Sequence, residues 1–109
     1  MPAVIVRGPP IKPLSTPSTD TATQPATVAV AAVSTEVLAA GTYSYLLIQN
    51  IGSHDVYLDL TGGTPTTSSG FLLAKAGGSL ELTHWVPTAA INGIADGGVS
   101  NVEVLYVGS

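Results

Sequence analysis

The stretch YLLIQNIGSHDVYLDL, residues 45–60, decides how the chain is read. Two apolar runs flank a short polar segment, and alternation is clean in the second: Val56, Leu58 and Leu60 fall on one face of a strand, Tyr57 and Asp59 on the other. The intervening IGSHD holds turn-forming residues and one of the two histidines, His54. The stretch reads as a β-hairpin with His54 in its turn, contributing one face to a core.

The same texture runs outward on both sides. Short apolar runs predict strands at Val28–Val33, Glu36–Leu38, Ser44–Ile51, Val56–Leu60, Phe71–Ala74, Ser79–Thr83, Ala90–Ile94 and Val102–Val107. Between them lie turn-rich segments such as TGGTPTTSSG, KAGGS and DGGVSN. No window sustains an apolar period of 3.6 residues over three turns. VAVAAVSTEVLAA, residues 28–40, is the one place where alanine makes a helix competitive, and its valines favour a strand. About eight short strands at this spacing predict an all-β fold, a small antiparallel β-sandwich or jelly roll. Two runs, YLLI and VEVLYV, are apolar on both faces, which in so small a domain predicts cover from an arm, a loop or another subunit.

The first 27 residues differ in kind. Six of the eight prolines fall here (Pro2, Pro9, Pro10, Pro13, Pro17 and Pro25), excluding a regular helix or a central strand. The segment is expected to be an extended arm, with the sandwich occupying 28–109. Its bland reading is a tail or linker. Its front end nevertheless offers Val4, Ile5, Val6, Ile11 and Leu14 as apolar anchors beside Arg7 and Lys12, a composition suited to gripping a partner or a neighbouring subunit.

Composition narrows the classes. In 109 residues there is room for one modest core, and only 9% are charged against roughly 25% in an ordinary soluble domain. A chain so poor in charge suits a life spent in an oligomer or a larger assembly. Arg7 and Lys12 against Asp20 give residues 1–27 a formal charge of +1, whereas Lys75 against Glu36, Asp55, Asp59, Glu81, Asp96 and Glu103 gives the remainder −5. An acidic body with one lysine does not suit a phosphate backbone, so nucleic acid is not an expected partner. Cysteine is absent, which excludes disulfides and thiolate metal sites. No apolar run approaches the ~20 residues of a membrane helix, and the N-terminus lacks the pattern of a signal peptide, so no membrane association is expected.

Candidate chemistry is sparse. A metal site at His54 and His84 needs a third ligand, with Asp55, Asp59 or Asp96 as candidates, and thirty residues between the histidines is no ligand motif. Ser53, His54 and Asp55 are consecutive, so on an extended backbone their side chains diverge where a triad must converge. Asp55 and Asp59 share a strand parity, the only arrangement resembling a pair of glycosidase carboxylates, in a chain too small to wall a sugar cleft. The glycine pairs 62–63, 77–78 and 97–98 precede no helix and read as turns. Trp85, the sole tryptophan, reads as a core plug or an interface anchor ahead of a sugar-stacking platform. No catalytic residue, metal or cofactor is assigned, and the chain is expected not to be an enzyme.

Three segments taken in order, YLLIQNIGSHDVYLDL, SSGFLLAKAGGSLEL (68–82) and VPTAAINGIA (86–95), resemble a group of small virion proteins of tailed bacteriophages. The resemblance covers Leu38 to Ala95 and leaves out the Pro-rich arm. It departs from the group's pattern at Tyr43 and Ser44, where a basic residue is common, and at the terminal LYVGS. It implies a compact β-sandwich without catalytic residues, a decoration or cement subunit on the capsid surface. Its partner would be the major capsid protein or another virion protein, and it would itself be a homo-oligomer such as a trimer. On this reading Val4, Ile5, Val6, Arg7, Ile11, Lys12, Leu14 and Trp85 are the partner-binding residues. The alternatives are a head–tail junction or tail-fibre component, and a carbohydrate- or receptor-binding adhesion module.

Overall fold

The computed structural model describes residues 21–23 and 27–108, and the anchors expected at Val4, Ile5, Val6, Arg7, Ile11, Lys12 and Leu14 lie outside them. The fold is all-β. Its strands are β1 (Ala22–Thr23), β2 (Val28–Val30), β3 (Thr35–Leu38), β4 (Tyr43–Asn50), β5 (Val56–Asp59), β6 (Phe71–Leu73), β7 (Ser79–Leu82), β8 (Ile91–Ala95) and β9 (Ser100–Gly108). They form two antiparallel sheets. Sheet A has the order β1-β9-β4-β7, with β2 beside β1 along the same edge of β9; sheet B has the order β3-β8-β5-β6.

Pairing is nested: β2 with β9, β3 with β8, β4 with β7, β5 with β6, alternating between sheets. This is one long hairpin rolled on itself, closed by β4 against β9 and β5 against β8. Of the two architectures expected from the sequence, the strand order is that of a jelly roll.

The rolling overturns the hairpin reading of residues 45–60. β4 and β5 belong to different sheets, so the segment 51–55 is an arch over the end of the core rather than a turn within one sheet. Its length gives the reason: a tight hairpin wants a two-residue turn, and five residues let the chain cross between layers ~10 Å apart. The inward residues of the two strands, Leu46 and Ile48 on one side, Val56 and Leu58 on the other, are fully buried in the shared core.

All eight expected strands are present with ends shifted by a few residues, and a ninth, β1, falls within the segment assigned to the arm. Ala22 and Thr23 pair with Val107 and Tyr106, while Val28 pairs with Val102, so the chain enters sheet A earlier than its proline content suggests.

Gly93, on the inner face of β8, sits where its flanking strands in the same sheet leave no room for a side chain. A Cβ on Gly93 would meet Val37 Cγ2 at 3.1 Å and Leu58 Cδ2 at 3.2 Å. Gly93→Leu is therefore expected to overpack the centre and to cost about 1–3 kcal/mol, read as a lower urea midpoint, with Gly93→Ala milder.

Candidate functional site

Strand directions sort the loops into two ends. At one end lie 31–34, 51–55, 74–78 and 96–99; at the other lie 39–42, 60–70 and 83–90, with the close of β9. His54 sits at the first end and His84 at the second, so they share no ligand. The His54 amide donates to Ser100 Oγ (3.3 Å), and its ring lies against Gly98, where a Cβ would fall 2.6 Å from Nε2. His84 Nδ1 is 2.8 Å from Thr83 Oγ1. Among the described residues no group of three or more His, Asp or Glu is arranged to hold a metal ion.

The acids are occupied locally. Asp55 Oδ1 accepts the Lys75 amide (2.9 Å), which ties its carboxylate to the β6–β7 loop. Asp59 Oδ1 accepts the Thr61 amide (2.7 Å), the Thr61 hydroxyl (2.6 Å) and the Gly63 amide (3.2 Å), folding the start of the 60–70 loop. Four residues along a strand separate the two acids by about 13 Å, more than the ~5–9.5 Å of paired glycosidase carboxylates.

The Thr61 hydroxyl, then the Thr61 and Gly63 amides, hold the Asp59 carboxyl below its usual range. A depressed folded-state pKa contributes stability above the ordinary carboxylate range and loses it as pH falls through the folded value. Asp59→Asn is therefore expected to lower the thermal midpoint at neutral pH, with the gap from the parent closing in strong acid. A gap constant across pH would show that the ionised carboxylate contributes nothing.

What the structure does gather is apolar surface on outward faces. On sheet B, Leu72, Tyr57 and Ile94 lie abreast across three strands. Leu72 is 53% exposed, and Phe71, beside it on the free edge strand β6, is 56% exposed. On sheet A, Tyr45 lies opposite Val107 and Leu47 opposite Leu105, all partly buried. These are the outer residues of the two runs whose double-sided apolar character predicted cover. Tyr45 also donates its hydroxyl to Glu81 Oε2 (2.6 Å), a bond that, with burial second, raises its pKa.

Trp85 is 62% exposed and plugs no core. It lies in the 83–90 loop, at the same end as the Thr- and Ser-rich 60–70 loop. The two loops meet where a Cβ on Gly62 would lie 3.3 Å from Ala89 Cβ, and Asn92 Nδ2 donates to Gly63 O (2.9 Å). At the opposite end Val33, Ile51 and Val99 are exposed on three loops.

The residue that sequence reading missed is Asn50. Fully buried at the end of β4, it donates through Nδ2 to His54 O (2.7 Å) and Leu73 O (2.9 Å). Its Oδ1 accepts the Gly52 amide (3.0 Å) and the Ser100 hydroxyl (2.8 Å). It thereby ties β4, the 51–55 arch, β6 and β9 at one point. An Asn closing an apolar strand reads as a turn residue, and nothing local announces partners 23 and 50 residues away.

Comparison with family models, with curated proteins and with solved structures returns no match.

Proposed function

We propose that this chain is a non-enzymatic structural subunit of a tailed-bacteriophage virion, a decoration or cement protein that binds the capsid surface and stabilises the shell. The observation that carries the reading is apolar surface on the outward faces of both sheets, in a chain only 9% charged. A domain that functioned alone in solution would place charge there. The resemblance supports it, since Leu38 to Ala95 runs from the end of β3 through β8, most of the rolled core. The major capsid protein, or another virion protein, is the partner, and copies of the chain associate with one another. Burying ~1,000 Å² per copy at about 25 cal/mol per Å² supplies a gross ~25 kcal/mol, largely offset by ordering and desolvation. A small surplus repeated over a shell resists internal pressure.

A second reading has its own observation. Exposed Trp85 beside the hydroxyl-rich 60–70 loop suits a carbohydrate- or receptor-binding tip on a tail or fibre. Copy number separates the readings, measured by quantitative mass spectrometry of virions purified from a culture that produces the chain. A shell protein is expected at hundreds of copies per particle, a head–tail junction at about a dozen or fewer, and a fibre tip at a few per fibre. Absence of the chain from virions overturns the proposal.

A further inference from the structure

We infer that Asn92 and Gly93 form a site of spontaneous covalent modification that the pairing of β8 holds shut, so that the site records how long a chain has spent without its sheet. The inference goes beyond the virion reading and does not rest on it.

The chemistry needs only the chain and water. Once solvent base has taken its proton, the Gly93 amide nitrogen attacks Asn92 Cγ. A C–N bond forms, the Cγ–Nδ2 bond breaks, and Nδ2 leaves as ammonia with a proton from water. Water then opens the cyclic imide at either carbonyl, leaving aspartate or isoaspartate at position 92. Of the three asparagines, Asn50 precedes Ile51 and Asn101 precedes Val102, and those β-branched side chains crowd the attacking nitrogen. Gly93 leaves it open. The packing builds this hazard in, because a larger residue at 93 would meet Val37 and Leu58.

In the folded chain the ring is kept from closing. β8 lies between β3 and β5, and Gly93 pairs with Thr35 on one side and Leu58 on the other. Its backbone is therefore extended and its amide sits within the ladder. The leaving nitrogen is held too, since Asn92 Nδ2 donates to Gly63 O (2.9 Å). Attack requires rotation between the two residues, which parts the pairs on both sides. Opening of β8 thus sets the rate.

Neither product suits the sheet. The register partners of Asn92 on the outward face are Glu36 and Asp59, with Cβ atoms of opposed residues about 4.5–5.5 Å apart. Aspartate between them makes a row of three carboxylates, and no Lys or Arg lies on β3, β5, β6 or β8. The donor to Gly63 O is lost as well. Isoaspartate adds a main-chain atom ahead of Gly93 and breaks the alternation that points Ile91 and Ala95 inward. A chain modified before β8 pairs therefore folds to a weaker sheet B.

The test holds the full-length chain at mildly alkaline pH, in buffer and in urea beyond its unfolding midpoint. Conversion at each asparagine is read by mass spectrometry of proteolytic peptides. Exchange of the amide for a carboxyl raises the mass, whereas isomerisation at Asp96–Gly97 does not, so the two are distinguished. In urea, Asn92 is expected to convert several times faster than Asn50 or Asn101. In buffer its conversion should slow by at least about tenfold, as for a group exposed only by opening of a central strand. Chains refolded after conversion should show a lower urea midpoint than before treatment, and Asn92→Gln chains given the same treatment should not, because glutamine closes its ring far more slowly. Asn92→Asp made directly should reproduce the loss, and Glu36→Gln should recover part of it. Equal rates at the three asparagines in urea overturn the inference. So do equal rates at Asn92 in urea and in buffer, or an unchanged midpoint after conversion.

Discussion

Asn50→Leu is expected to remove a large share of the stability of the sandwich. Leucine has the same branched outline but is bulkier and satisfies none of the four groups that Asn50 meets: the carbonyls of His54 and Leu73, the Gly52 amide and the Ser100 hydroxyl. A buried polar group left without a partner costs about 1–3 kcal/mol. Some of the four reach water at the arch, so the expected loss is about 3–5 kcal/mol, against a total of roughly 5–15 kcal/mol for a typical domain. Ser100→Ala removes one hydroxyl and is expected to cost about 1 kcal/mol. In a double-mutant cycle, Asn50→Ala and Ser100→Ala should cost less together than the sum of their separate effects, because each strands the other's partner. The measurement is urea unfolding followed by far-UV circular dichroism; Trp85 is too exposed to report on the core by fluorescence. A midpoint for Asn50→Leu equal to the parent's would mean that the arch is held by packing alone.

That result bears on what a sequence of this kind discloses. The strands were legible because alternation is a local signal: Val56, Leu58 and Leu60 in, Tyr57 and Asp59 out, with the same rule holding for Leu80 and Leu82 about Glu81. Which strands pair was not legible. β4 and β5 look like a hairpin because they are adjacent and apolar, and the competing roll is decided by contacts between β4 and β9, more than fifty residues apart. β1 stayed hidden because TATQP has no apolar periodicity; its two residues are held by main-chain pairing with β9, which side-chain pattern does not report. Of the two readings of Trp85, the core plug fails for the opposite reason. A large apolar residue before a proline resembles a core plug, yet Val86 beside it packs against the core in its place. The outward apolar faces were legible in YLLI and VEVLYV, since no strand buried on one side only needs both of its faces apolar.

If the virion reading holds, removal of residues 1–20 is expected to abolish retention on the particle while leaving the sandwich folded. The cut must fall before β1. A deletion reaching residue 27 also removes the Ala22 and Thr23 pairing with β9, and the Thr27 hydroxyl that donates to Glu103, so it tests the sheet as much as the segment. The shorter deletion takes away Val4, Ile5, Val6, Ile11 and Leu14, each worth about 1.5–3 kcal/mol when buried, before ordering costs. It also takes away Arg7 and Lys12, whose exposed ion pairs contribute roughly 0–1 kcal/mol and are screened within ~10 Å at 0.1 M salt. Apolar contact therefore dominates. Val4→Ser with Ile5→Ser should release the protein almost as completely as the deletion, whereas Arg7→Gln with Lys12→Gln should only weaken it. In a pelleting assay with virions stripped of the protein, the parent should stay bound from low salt to about 0.5 M, and its circular dichroism should match that of the truncated form. If the parent dissociates at high salt while the serine variant stays bound, charge is the grip and the aliphatic residues are bystanders. If the truncated chain pellets with undiminished occupancy, attachment resides in the sandwich, and the outward row of exposed Leu72 with half-buried Tyr57 and Ile94 on sheet B becomes the surface to change next.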